Sequence, residues 1–276
     1  MLWSINLRAF HSLGPALALA MGCAACFEES GFDYYIPYVP TPQHIVERML
    51  ELSEVGDRDY LIDLGSGDGR IAITAAKKYG ARALGVDIEP RLVRLADENA
   101  AKAGVSDKVT FREQDLFDTK LGEASVIALY LPPAVNMKLR PRLLQELRPG
   151  SRVVSHAFHM GGWLADAQET VRGIDIYLWI VPAQVAGHWQ IDDGDRRFTL
   201  AIEQQFQEIT GTATIEGRSL PLRDAKLRGG QIAFMVDFGD GAPSEYRGVV
   251  SGDWIDVDGS ARSWRATRIA GLPAKQ

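Results

Sequence analysis

Asp63-Leu64-Gly65-Ser66-Gly67-Asp68-Gly69-Arg70 is the stretch on which the reading of this chain turns. A short apolar run, Tyr60-Leu61-Ile62, leads into it. Ile71, Ala72, Ile73, Ala75 and Ala76 follow at helical spacing. The order is strand, glycine-rich turn, helix start. Glycine serves where backbone bends sharply or a ligand approaches closely. The helix start adds unpaired N–H groups and a partial positive charge. The glycines fall at 65, 67 and 69, and position 70 is Arg. A dinucleotide fingerprint, Gly-x-Gly-x-x-Gly, needs its third glycine at position 70. A Walker loop needs Lys-Ser/Thr after its last glycine, and none is present. Phosphate ligands are disfavoured on both counts.

Two acids further along the chain narrow the ligand. Asp87 ends a strand-like run, Gly85-Val86-Asp87-Ile88, where a carboxylate can accept ribose hydroxyl protons. Asp115 lies just past a third run, where it could accept an adenine exocyclic amine. Each acid alone also reads as a helix cap or turn residue. Their recurrence at successive strand ends specifies a nucleoside.

These residues resemble the successive motifs of class I S-adenosylmethionine-dependent methyltransferases, over about residues 35 to 190. The resemblance implies an α/β, Rossmann-like seven-stranded methyltransferase sheet and S-adenosyl-L-methionine as cofactor. It implies cofactor contacts from Asp63, Gly65, Ser66, Gly67, Gly69, Asp87 and Asp115. A narrower resemblance adds Pro37-Tyr38-Val39-Pro40 to the glycine loop. It is to the mitochondrial protein-lysine methyltransferases of adenine nucleotide translocase and ATP synthase c-subunit type. That resemblance implies Thr41 and Tyr38 beside the cofactor or the incoming lysine. Asp87 departs from those relatives, which tend to carry Glu there; the carboxylate is kept. Methyl transfer by in-line displacement needs positioning and exclusion of water rather than a metal or covalent nucleophile. Tyr38 and Tyr130 are the expected catalytic-site walls, and no metal is expected.

The rest of the chain falls into three parts. Residues 1–26 read as a signal-like or membrane-targeting segment. Arg8 precedes an apolar run from Leu13 to Cys26, with Ala18-Leu19-Ala20 as a small-x-small pattern and Ala20-Met21-Gly22-Cys23 as an imperfect lipoprotein box. The expected location is exported or membrane-associated (periplasm or lipid-anchored), and cytoplasmic if the segment is not a signal peptide. Residues 27–186 alternate strand and helix, the pattern of a parallel sheet. Thr41 is expected to cap the helix from Gln43 to Leu52. Ile174 to Val181 and Val185 to Ile191 read as the two closing strands. Residues 187–276 carry short strands between turns such as Gly229-Gly230 and Asp240-Gly241. They predict a second, small antiparallel β-domain, barrel-like or a curled sheet. Gly187-His188-Trp189 and Trp264-Arg265-Ala266-Thr267-Arg268 are faintly similar to lipocalin-like barrels.

Composition narrows the acceptor. The two cysteines, Cys23 and Cys26, leave no thiolate site beyond the N-terminal segment. A formal net charge of -6 argues against a broad nucleic-acid footprint. Methyltransferases acting on base amines carry Asp/Asn-Pro-Pro-aromatic after the fourth strand. This chain has Leu131-Pro132-Pro133-Ala134, lacking both the polar group and the ring. The expected partner is a protein substrate, membrane-associated or not, or a small molecule, with no nucleic acid. Three readings stay open: a protein-lysine methyltransferase, a methyltransferase for a small molecule or lipid, and a non-catalytic exported binding protein. His156 and His159 could be a base or bound the substrate pocket, or could be core or surface residues. Lys138, Arg140, Arg142, Arg148 and Arg152 read as a solvated basic face, or a patch for acidic lipid or protein.

Overall fold

The computed structural model describes residues 37–257 and 263–269. The predicted targeting segment, with Cys23 and Cys26, lies outside them. Among the described residues, no helix is long and apolar enough to cross a membrane.

The first half builds the predicted parallel sheet. Its strands are β1 (Tyr60–Leu64), β2 (Arg82–Asp87), β3 (Val109–Glu113), β4 (Val126–Leu129), β5 (Arg152–His156), β6 (Ala167–Val171) and β7 (Ile174–Ile180). They lie in the order β3-β2-β1-β4-β5-β7-β6, with β1 to β5 parallel and β7 antiparallel to both neighbours. The order reverses at β1, between β2 and β4. In open α/β sheets ligands sit at the carboxyl end of such a switch point. The helices are α1 (Gln43–Leu52), α2 (Arg70–Tyr79), α3 (Pro90–Ala103) and α4 (Pro133–Glu146). Gly80 and Gly104 end α2 and α3 in the left-handed conformation expected of a glycine C-terminus. The stripe Ile45, Val46, Met49 and Leu50 of α1 is completely buried. It packs with Ala72, Ala75, Ala76 and Val154 in one core; Leu139 and Leu143 of α4 join Ile62, Leu129 and Trp179 in another.

One strand assignment needs correcting. Val185 to Ile191 does not close this sheet. The second closing strand is β6, joined to β7 by Arg172-Gly173, both at positive φ. Two such residues form the hairpin turn whose twist matches antiparallel strands. Most of the stretch Val185 to Ile191 instead opens the second sheet as β8 (Gly187–Asp192).

That sheet continues with β9 (Arg197–Gln205), β10 (Glu208–Ile215), β11 (Arg218–Pro221), β12 (Arg223–Arg228), β13 (Gln231–Val236), β14 (Ser244–Ser251), β15 (Trp254–Val257) and β16 (Arg265–Arg268). Every strand pairs antiparallel with its sequence neighbour except β11 with β12, and β16 returns to pair with β8. Only Leu222 separates β11, on β10, from β12, on β13. The two edges are thus one covalent run, and the sheet curls into a barrel. Its interior is filled by rings. Tyr246 packs on Phe234, Phe198 and Trp264 at centroid distances of 5.2, 5.5 and 5.5 Å. Arg268 lies 4.2 Å over the Trp189 ring and donates to the Ala186 and Gln184 carbonyls.

Three members of the basic run are structural fasteners. Arg142 donates to the Phe117 and Thr119 carbonyls and pairs with Glu146. Arg140 donates to the Met160 carbonyl at 2.9 Å. Arg152 donates to the Ser53 carbonyl and pairs with Asp59.

Candidate active site

The glycine loop sits between the end of β1 and the start of α2. A Cβ at Gly67 would lie 2.6 Å from the Tyr38 ring, and one at Gly69 2.4 Å from the Phe111 ring. Both have positive φ, so only glycine fits without displacement. The Gly65 and Ser66 amides both donate to the Val86 carbonyl at 2.9 Å. Asp87, at the end of β2, accepts from Gly67 N at 2.8 Å and Glu89 N at 2.9 Å. It therefore shapes the loop, and a carboxylate has lone pairs left for further donors.

Charge in the loop is lopsided. Asp63 is 2% exposed, and its Oδ2 has no hydrogen-bond partner. Burial, then the nearby charges of Asp87 and Asp68, push its pKa up to about 8. Ser66 Oγ is also buried without a partner. Asp68 is partly buried, which works to raise its pKa. The hydrogen bonds and charge of Arg70 outweigh that and hold the carboxyl below its usual range. Three carboxyl groups and one guanidinium thus surround the loop, Arg70 pairing with Asp68 and Asp63 keeping its proton at pH 7. A phosphate would be repelled here, whereas a cationic group would relieve the Asp63 site.

The Pro-Tyr-Val-Pro segment lies across this loop. Tyr38 covers Gly67, and Arg70 donates to the Thr41 carbonyl at 2.8 Å. Burial raises the Tyr38 pKa, with Asp68 adding to the effect. Thr41 does not cap α1. The N-cap is Pro42, whose carbonyl accepts from Ile45 N and Val46 N, and no side chain caps the helix. The Thr41 hydroxyl is committed instead to His156 Nδ1, 3.0 Å away and 115 residues distant in sequence.

His156 ends β5 and is 3% exposed. Its ring stacks on Tyr130 with centroids 3.8 Å apart, and the Phe158 ring lies 6.0 Å from Tyr130, nearly parallel to it. Desolvation lowers the His156 pKa to about 4, so the ring is neutral at pH 7. Phe158 N donates back to the His156 carbonyl at 2.8 Å across Ala157, whose φ is +65°. This is a γ-turn of the strained kind, which turns Phe158 toward Tyr130. Asp115 is more peripheral. Its Oδ1 accepts from Phe117 N at 2.7 Å and caps the 3-10 turn Leu116–Asp118, while the carboxylate is exposed.

The structure therefore gathers Tyr38, Thr41, Asp63, the glycine loop and Asp87 around one turn. Thr41 and His156 link that turn to Tyr130. Sequence reasoning singled out neither Asp68 nor Asn136. Asn136 is completely buried on α4 with Oδ1 unpartnered. Its signal was a polar residue inside the stripe Val135, Leu139, Leu143. Among the described residues no cluster of His, Cys, Asp and Glu could hold a metal.

Residues 63–167 match the ANTKMT methyltransferase domain. A protein-lysine N-methyltransferase of Saccharolobus islandicus is 40% identical over 154 residues, covering 53% of this chain and 94% of that protein. The adenine nucleotide translocase lysine N-methyltransferase of Mus musculus is 39% identical over 46% of this chain. The ATP synthase c-subunit lysine N-methyltransferase of Homo sapiens is 33% identical over 54% of it. This chain spans only 56% and 62% of those two proteins. Among solved structures, an RNA methyltransferase from Salinibacter ruber in complex with S-adenosyl-L-homocysteine is similar, with a TM-score of 0.53 and 52% identity. The match covers 53% of this chain and 96% of that one.

Proposed function

Because the chain belongs to the S-adenosylmethionine-dependent methyltransferases of the ANTKMT-domain family, we propose that it methylates a lysine amine of a protein. The observation that carries this is the Tyr38–Thr41 segment laid over the glycine loop and fastened to His156. Relatives named as lysine methyltransferases support it.

S-adenosylmethionine, when bound, supplies a methyl group activated on a sulfonium. Asp87 would accept from ribose hydroxyls with its remaining lone pairs, and Asp115 from the adenine amine. Asp63, Gly65, Ser66, Gly67 and Gly69 would hold the aminoacyl end, where the excess of carboxyl groups suits a cation. Thr41 orients His156, and His156 orients Tyr130. A lysine must arrive neutral. With an ordinary pKa near 10.4, deprotonating it at pH 7 costs roughly 4–5 kcal/mol. Desolvation of the amine against the rings around Tyr130 would offset part of that. His156 is neutral and adds no positive charge beside the entry, and the amine loses its proton to bulk water on the way in.

RNA is the second acceptor reading, because the Salinibacter ruber relative is an RNA methyltransferase. Leu131 and Ala134 weigh against a base amine. The test incubates the purified chain with methyl-labelled S-adenosylmethionine and, separately, lysine-bearing proteins, RNA and lipid extract. Methyl-lysine identified by mass spectrometry supports the proposal; label confined to RNA or lipid overturns it. For location, we propose export directed by residues 1–26; fusing that segment to an export reporter tests it, and a reporter left in the cytoplasm refutes it.

A further inference from the structure

The Saccharolobus islandicus and Salinibacter ruber relatives match over 94% and 96% of their own length, yet cover 53% of this chain. The domain match ends at residue 167, before the barrel begins at Gly187. The barrel interior is packed with side chains, which leaves its outer surface and turns to make contacts elsewhere.

Its β9–β10 turn, Phe206-Gln207, reaches the segment that follows β5. Phe206 has φ +57°, a strained value for a non-glycine residue. Its ring stacks on Trp163 at 6.2 Å and an interplanar angle of 20°. The Arg140 guanidinium, from α4, lies 5.2 Å from the same ring. Gln207 Nε2 donates to the Leu164 carbonyl at 2.7 Å. Trp163 is 1% exposed, and its carbonyl accepts from Trp179 Nε1 at 2.8 Å. Segment 157–166 is thus held at Met160 by α4 and at Trp163 and Leu164 by the barrel. The same segment begins with the Ala157 γ-turn and carries Phe158 beside Tyr130. Leu164 on this segment is 64% exposed and Met137 of the neighbouring α4 is 38% exposed.

We infer that the β9–β10 turn is a positioning element for the acceptor side of the site. Phe206 and Gln207 fix segment 157–166, and through Phe158 they fix Tyr130 where the acceptor enters. Phe206 is a positioning residue that touches neither substrate nor cofactor. The inference rests on the proposed entry beside Tyr130 but not on the acceptor being lysine.

The test uses the full chain. Phe206→Ala should speed amide hydrogen exchange across residues 157–166 about ten-fold and leave residues 63–70 unchanged, given the ring stacking and cation contact removed. The acceptor KM should rise about ten-fold, with kcat within about two-fold and cofactor Kd unchanged. Phe206→Tyr should restore both. Gln207→Ala, which removes one hydrogen bond, should act in the same direction by about three-fold, and stands in if Phe206→Ala does not fold. Trp254→Ala, on the barrel exterior, should change neither. Unchanged exchange at 157–166, faster exchange with an unchanged KM, or an equal effect of Trp254→Ala would each overturn the inference. The KM is read on whichever acceptor takes label. A wild-type chain that methylates RNA and not protein therefore refutes the lysine proposal and leaves this one standing, whereas unchanged exchange does the reverse.

Discussion

Replacing Asp63 by Asn should remove a slope from the pH dependence of stability. In the unfolded chain the carboxyl titrates near its ordinary 3.8, whereas in the folded chain burial raises it to about 8. Between those values the folded protein holds a proton that the unfolded chain has lost. Protons favour the fold across that window, so stability falls as pH rises from about 4 to about 8 and is level above it. About four pK units at 1.36 kcal/mol each give ~5 kcal/mol lost by pH 8. Asn keeps the shape of the protonated acid and cannot ionise. The two proteins should converge as pH falls toward 4, and the Asp63→Asn variant should be more stable by several kcal/mol at pH 8. Urea unfolding at intervals from pH 5 to 8 measures this. Calorimetry adds a second readout. If the cofactor's cationic end ionises Asp63, binding at pH 7 should release about 0.9 proton, seen as a heat that varies with buffer. Parallel stability curves for the two proteins would refute the buried-acid argument, and buffer-independent heat would refute the coupling to ligand.

Three further outcomes are expected. Gly67→Ala should weaken cofactor binding at least ten-fold by calorimetry, because its Cβ falls 2.6 Å from the Tyr38 ring at a φ of +55°; Tyr38→Ala added to it should recover part of the loss. His156 has its folded pKa lowered from 6.5 to about 4, so wild-type stability should fall as pH drops through that window, and His156→Gln should flatten the fall in urea titrations. Arg268→Ala should lower barrel stability by about 2 kcal/mol, since it strips the cation from Trp189 and two carbonyl contacts. Its methyltransferase rate at 25 °C should stay near wild type.

Local chemistry made much of the fold legible. α2 and α3 run between the residues their glycine stops predicted, and the loop, Asp87 and the parallel strands are where their patterns place them. Three of the missed strands share a cause. β6, β11 and β12 (Ala167–Val171, Arg218–Pro221 and Arg223–Arg228) are polar and largely surface-lying, so no apolar alternation marks them. Their pairing comes from neighbours. Thr41 has the composition of a cap, yet its hydroxyl is claimed by a ring 115 residues away. Nothing local in Ser155-His156-Ala157 announces that contact. Asp87 and Asp115 were ambiguous between cap and ligand for a physical reason: each accepts backbone amides and keeps lone pairs for a second partner.

The pairing of β16 with β8 has a consequence for synthesis. Trp189 waits for Arg268, which the ribosome adds 79 residues later by the register that places them opposite each other. Until then β8 has one unpaired edge, and the hairpins between them can form locally without closing the ring. Such long-range pairings are slow to form and leave strand edges open to other chains in the meantime. A nascent chain stalled or truncated before residue 265 would therefore present a sticky β8 beside a finished methyltransferase sheet.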